Sequence, residues 1–524
     1  MQSVMTSQHS FAKAPSQRIP RAMFNRSHGV KTTFDAGKLV PMFLEEVLPG
    51  DTFNVRTSGF ARLATPIHPI MDNMFMDTFY FFVPNRLVWD NWQKFTGERI
   101  DPGDPIDFQV PRNINATINE GSLGDYLGLP LGDINAGINV LPIRAIGLIW
   151  NEWFRDQNHQ DSLTIAKDDT NSTGVFFNGQ SWLAANSLPP RGKRHDYFTT
   201  CLTSPQKGDA VSMPLGTSAP IHLPDTIDNS GDYFSVYSDF EADYKYIRSD
   251  LSNATMSVGD GTEATAMYAN LADATAATIN DLRLSFATQQ FLERDARGGT
   301  RYAEILRSHF GVVSPDGRLQ RPEYLGGGST PINITPVAQT SSTDATTPKG
   351  DLAAFGTSAF NGHGFSKSFV EHGYVIGFVN VRADLTYQQG MNRMWSRLNR
   401  FDFYWPEFAN LGEQPVYNKE IFTDGTSADD DVFGYNERWA EYRYKPSLVT
   451  GAFRSNAAAP LDAWHLAQDF STRPALNDTF IVDNPPIDRV VAVPSEPHFK
   501  CDLYHDFKAV RPLPLYSVPG LDRL

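Results

Sequence analysis

Between Leu39 and Trp89 the polar and apolar positions settle into two strand-like runs separated by punctuation. From Thr52 to Arg62 the opening residues alternate, Phe53 and Val55 facing one way and Asn54 and Arg56 the other. That period of two predicts a half-buried strand. The turn Leu48-Pro49-Gly50-Asp51 launches it, and Pro66 and Pro69 close it. From Asp77 to Val83 almost every residue is aromatic or β-branched, up to a stop at Pro84. A run apolar on both faces predicts a strand covered on both sides. Near the other end of the chain, Tyr374 to Thr386 has the same character, and Tyr435 to Tyr444 and Thr479 to Val493 are further strand candidates.

Helical spacing lies between these ends. Pro142 stands where a helix begins, and Ile143, Ile146, Trp150, Trp153 and Phe154 follow as one apolar stripe ending near Asp156. The long polar connection from Gly97 to Asp133 calls for a short helix such as Ser122 to Leu127. A helix is predicted from Ile279 to Arg294, a break over Asp295 to Gly299, and a second helix from Thr300 to Gly311 with His309 on its apolar face as a core histidine. Arg318 to Ile332 reads as a turn of the chain and Gln339 to Gly350 as a polar loop. The C-terminal segment carries Pro512, Pro514 and Pro519, so 495–524 is expected as an extended arm over the surface and not as a central strand. Strands at both ends, brought together across helical and loop insertions, give a mainly β architecture of the Greek-key or jelly-roll kind.

Composition agrees with aromatic strands joined by punctuated loops: 36 Phe outnumber 9 Trp and 19 Tyr together. A hydrophobic share of 41% with 20% charged residues is that of a globular chain. No apolar run reaches the 18 residues of a membrane span, and the first residues lack the apolar centre of a signal peptide. Two cysteines, Cys201 and Cys501, offer neither a disulfide framework nor metal-ligand spacing, which fits synthesis in a reducing compartment.

Charge divides the chain. Residues 1–34 hold Lys13, Arg18, Arg21, Arg26 and Lys31 and no acid, a net of +5, so the formal −15 leaves −20 on the rest. A basic arm, placed at 1–40, on an acidic body is an arrangement for nonspecific contact with nucleic acid, or simply a flexible tail. Arg191, Lys193, Arg194 and His195 form a second basic cluster, suited to phosphate, to acidic loops of a neighbouring subunit, or to solvent. Residues 217–278 set ten acids against Lys245 and Arg248, with Tyr233, Phe234, Tyr237 and Tyr244 interleaved. They are expected as a solvent-facing insertion where recognition resides.

Signatures of catalysis are missing. There is no GxSxG elbow, no phosphate-binding loop, no HExxH and no CxxC, and Gly326 to Gly328 lacks the spacing of a dinucleotide site. Asp424 with Asp429 to Asp431 resembles half of a calcium loop without its closing Glu. No cofactor, metal or enzymatic activity is expected.

Longer runs carry a family resemblance: LPGDTF from Leu48, MDTFYFFVPNRLVW from Met76, PPRGKRHDYFT from Pro189 and LERDARGGTRYAEILRSHFGV from Leu292, with RLQRPEYLGG from Arg318, VRADLTYQQG from Val381, FGYNERWAEYRYKPS from Phe433 and RPLPLYSVPGL from Arg511. Over nearly its whole length the chain is similar to the major capsid proteins of the small single-stranded-DNA microviruses, gokushovirus branch, with departures concentrated at 217–278. The resemblance implies an eight-stranded viral jelly-roll β-sandwich with large insertions, assembling as a homo-oligomer into a T=1 icosahedral shell around circular single-stranded DNA. It implies that 217–278 protrudes at threefold axes to meet a host surface receptor. It also implies a DNA-pilot minor protein, a small basic DNA-packaging protein and an internal scaffolding protein as partners, and a virion component made in the host bacterial cytoplasm. Lys13, Arg18, Arg21, Arg26 and Lys31 are then the candidate DNA contacts. A carbohydrate-binding β-sandwich module is the competing reading and a secreted hydrolase a more distant one.

Overall fold

The computed structural model describes residues 20–105, 107–174, 176–177, 187–209, 211, 279–299, 302–311, 320–343 and 348–516. It also describes the strands at 221–222, 234–238, 243–250, 255–260, 265–266 and 268–269. The chain divides into two units, one of residues 1–204 with 314–524 and one of residues 205–313.

Eight strands frame the first unit: β1 (His28–Phe34), β2 (Val40–Val47), β3 (Thr52–Leu63), β4 (Met74–Pro84), β5 (Glu323–Pro331), β6 (Leu352–Ser368), β7 (Gly373–Ala383) and β8 (Phe499–Arg511). They pair antiparallel in two sheets, ordered β1-β8-β3-β6 and β2-β7-β4-β5. Ala22–Asn25 extends the first sheet along β8, and Asn333–Ala338 extends it beyond β6. Apart from β4 to β5, every step along the chain crosses from one sheet to the other. That is the jelly-roll order, and the expected fold class holds. Two connections are far longer than the rest: residues 85–322 between β4 and β5, which stays in the second sheet, and residues 384–498 between β7 and β8, which crosses.

The core lies between the sheets because each inward face is apolar. In β3, Phe53, Val55, Ala61 and Leu63 are buried; in β8, Phe499, Cys501, Leu503, Phe507 and Ala509 are. Rings from opposite sheets meet edge to face, Phe43 with Phe507 at 5.4 Å between centroids. β4 and β7 are buried on both faces. Tyr80 and Phe82 point between the sheets, while Phe79, Phe81 and Phe378 meet Phe154 on the outside at 5.3–6.3 Å. Phe154 ends the helix α1 (Leu141–Ile149), continued by a π-helical turn from Trp150 to Phe154. The stripe read from the sequence is therefore the cover of the second sheet.

The second unit holds α2 (Ile279–Arg297) and α3 (Tyr302–Phe310). It also contains an antiparallel meander of Phe234–Ser238, Asp243–Asp250 and Thr255–Asp260, with Tyr237 opposite Tyr244 in register. His309 lies 3.0 Å from Asp295 and against Phe291, a satisfied packing histidine.

Five expectations are corrected. The C-terminal segment is a central strand through Arg511, paired with β3 on one side and β1 on the other; the prolines begin only at Pro512, after the alternation ends. The basic arm does not extend to residue 40, because Ala22–Asn25 and β1 are sheet strands. Thr479 to Val493 is not a strand: Pro485 and Pro486 interrupt it, and it forms short helices at Asp478–Ile481 and Ile487–Arg489. Tyr435 to Tyr444 stops pairing at Glu437, where Trp439 takes a left-handed conformation (φ 63°) and a helical turn follows. The expected turn at Arg318 to Ile332 also contains β5, where Gly326 and Gly327 lie against neighbouring backbone and Gly328 against the His363 ring.

Candidate functional site: a basic and aromatic cavity

The second sheet and the segment after α1 enclose a cavity of about 450 Å³. β4 contributes Phe79 and Phe81, the π-helical turn contributes Trp153 and Phe154, and β5 contributes Tyr324. Arg155, Arg191, Lys193, Arg194, His195 and Arg382 supply the positive charge, and Asp156 lines the cavity beside them. Four of these are the basic cluster found in the sequence; Arg155, Arg382 and the rings come from distant positions and carry no motif.

The inner cations are engaged within the fold. Arg191 donates to Asp77 at 2.6 Å and to Asn380 at 2.9 Å, with its guanidinium over Phe79. The Arg382 Nε lies 2.8 Å from the same Asp77 oxygen. Burial brings Arg382 down to about 10, with Arg191 adding repulsion and Asp77 opposing it. Lys193 sits over Phe480, and burial lowers its ammonium to about 8 against the attraction of Asp483 and Asp196. Burial likewise raises Asp483 to about 6, opposed by Lys193, Arg191 and Arg382. Such a buried network ties the 189–196 segment to both β4 and β7, and removing any one charge would strand another.

The rim differs. Arg194 and His195 are exposed, Arg194 reaching Asp384 at 3.0 Å in a solvent-facing pair. Trp153 and Tyr324 are exposed rings, and Arg321 lies over Trp153 at 5.3 Å. Exposed rings beside cations form a surface on which unpaired bases stack and phosphates pair.

The other predicted residues lie elsewhere. Lys13, Arg18 and Tyr233 are outside the described residues, as are the side chains of Phe234, Tyr237 and Tyr244. Arg21 donates to the Gly50 carbonyl, and Arg26 pairs with Glu45, which Arg511 also reaches at 2.6 Å. Lys31 lies 3.5 Å from Asp502, both exposed. The calcium-like acids close on Arg473, 2.7 Å from Asp424 and 2.8 Å from Asp429. No group of three His, Cys, Asp or Glu able to hold a metal occurs among the described residues, and none of their helices is long and apolar enough to cross a membrane.

Residues 12–521 match the family model described as "Capsid protein (F protein)". The chain belongs to that capsid family. It is similar to the capsid protein VP1 of Bdellovibrio phage phiMH2K, 46% identical over 98% of each chain. VP1 of Chlamydia phage 1 is 43% identical and VP1 of Spiroplasma virus 4 is 36% identical, both again over 98% of each chain. This phage protein is the major capsid protein of its virion.

Proposed function

We propose that copies of this chain close into a T=1 icosahedral shell around circular single-stranded DNA. The two-sheet jelly roll supports that reading most, since its eight strands are spread over a chain that matches capsid relatives from end to end. Its role is structural, without catalysis. The DNA contacts are the basic N-terminal residues, led by Lys13 and Arg18, and the rim of the cavity at Arg194 and Arg321 with Trp153 and Tyr324. Arg191 and Lys193 brace the fold from inside. The acidic 217–278 insertion, with Tyr233, Phe234, Tyr237 and Tyr244, is the host-attachment element. An internal scaffolding protein, a small basic DNA-packaging protein and a DNA-pilot protein complete assembly in the host bacterial cytoplasm.

Electron microscopy of the chain co-expressed with its scaffolding partner tests assembly: uniform small shells support it, and a monomer under all conditions, added single-stranded DNA included, defeats it. The contacts are tested by titrating opened shells with single-stranded DNA across a range of salt. Replacing Lys13, Arg18, Arg194 and Arg321 by Gln should flatten the dependence of affinity on salt by about 0.7 in log–log slope per lost phosphate contact. An unchanged slope would remove these residues from the DNA surface. Deleting 217–278 should leave shells that no longer adsorb to host cells; retained adsorption places attachment elsewhere.

A further inference from the structure

The connection between β7 and β8 presents an unusual surface. Between Met394 and Leu411, large apolar side chains stand out of the fold: Trp395 is 69% exposed, Leu398 86% and Phe401 63%, with Phe403, Tyr404, Trp405 and Leu411 beside them. Tyr442 joins them from the neighbouring helical turn.

A built scaffold holds this segment. Arg393 donates to the Pro415 carbonyl at 2.7 Å and to Glu420 at 3.1 Å. Arg397 donates to Glu441 at 2.9 Å and lies over Tyr442 at 4.3 Å and Phe403 at 5.9 Å. Asp402 accepts from the Leu398 and Asn399 amides, and the Trp405 indole donates to the Arg400 carbonyl. Tyr404 meets Trp439 edge to face at 5.6 Å. Three helical turns, braced by buried carboxylates, thus aim rings at solvent in fixed positions, the arrangement that energetic anchors of interfaces have.

We infer that this aromatic surface is where a second copy of the same chain docks in the shell; the inference rests on the shell reading above. Three observations select that occupant. Each exposed ring presents on the order of 100 Å², so the patch approaches the roughly 800 Å² that one partner contributes to a standard interface. Residues 391–411 carry Arg393, Arg397 and Arg400 against Asp402 and Glu407, a net of +1 in a chain of net −15. Copies that repel elsewhere meet best where charge is nearly balanced and surface is apolar. Nucleic acid would need several exposed cations, yet Arg393 and Arg397 are largely buried against Glu420 and Glu441, which leaves Arg400, over the Trp405 ring, as the exposed one of the three. In a closed shell of identical chains such a patch meets its own counterpart across a twofold axis or a different face of the next copy around a threefold or fivefold axis.

The test uses the full chain with its scaffolding partner. Trp395→Ser, Leu398→Ser and Phe401→Ser together should leave the unassembled protein's circular dichroism and melting temperature unchanged and cut shell yield at least tenfold. Wild-type yield from this variant would overturn the inference. Absence of shells from the wild type in parallel would instead defeat the shell reading. Should the triple variant misfold, Leu398→p-benzoylphenylalanine in intact particles decides. Irradiation should join residue 398 to a peptide of another copy of this chain; cross-links only to a different virion protein, only to DNA, or none at all would overturn the inference.

Discussion

A single histidine shows how tightly the sandwich is specified. His505 stands in β8 between the sheets, its Nε2 3.0 Å from the Met42 carbonyl and its Nδ1 2.8 Å from the Thr57 hydroxyl. Since a carbonyl only accepts, Nε2 carries the proton and Nδ1 accepts from Thr57, whose oxygen accepts in turn from Tyr80. Protonation would put a second N–H against an occupied hydroxyl. Burial, with His28 adding repulsion, lowers this imidazole to about 4. Because the unfolded chain takes up the proton first, stability is full above pH 6.5 and declines as pH falls towards 4, by about 3 kcal/mol in all. Denaturant titrations at pH 7 and pH 5 should show about 2 kcal/mol of that loss. In His505→Gln the loss between the two pH values should shrink although the variant is less stable at pH 7. Asp483 works in the opposite sense, its raised carboxyl adding stability as pH drops below about 6, so the comparison must be between variant and parent.

Elements divide into those a local pattern specifies and those that only partners specify. β3, β4, β7 and α1 were legible because alternation, continuous apolar runs and a helical stripe each record burial directly. β5 was not, because its three glycines signal a turn, while their purpose is close approach. A Cβ on Gly327 would lie 2.0 Å from the Thr78 carbonyl of β4. Gly327→Ala should therefore cost about 2 kcal/mol, read as a lower denaturant midpoint with unchanged slope. β8 was obscured by the prolines that follow it, although its own alternation is regular. A chain ending at Arg511 should fold as the full protein does, by circular dichroism and melting. A chain ending at Pro497 loses a strand paired on both sides and should not fold. The cavity was half legible: Arg191, Lys193 and Arg194 are adjacent in sequence, whereas Asp77, Arg382, Trp153 and Tyr324 join them only through the jelly-roll topology.

At the scale of the molecule, the sandwich is a frame that carries its differences in two long connections. One, residues 85–322, supplies the cover helix, the basic segment and the whole second unit; the other, residues 384–498, supplies the exposed aromatic surface. A shell protein needs both a rigid body and faces that are satisfied only by assembly, and an acidic chain needs those faces to escape its own repulsion. The most direct measurement is the mass of the intact particle by charge-detection mass spectrometry, with and without nuclease and capsid opening. The account predicts a protein mass equal to 58.4 kDa times the copy number that T=1 icosahedral symmetry demands, with minor proteins and one single-stranded DNA making up the remainder. A mass corresponding to a small open oligomer, or to shells of another symmetry, would contradict it.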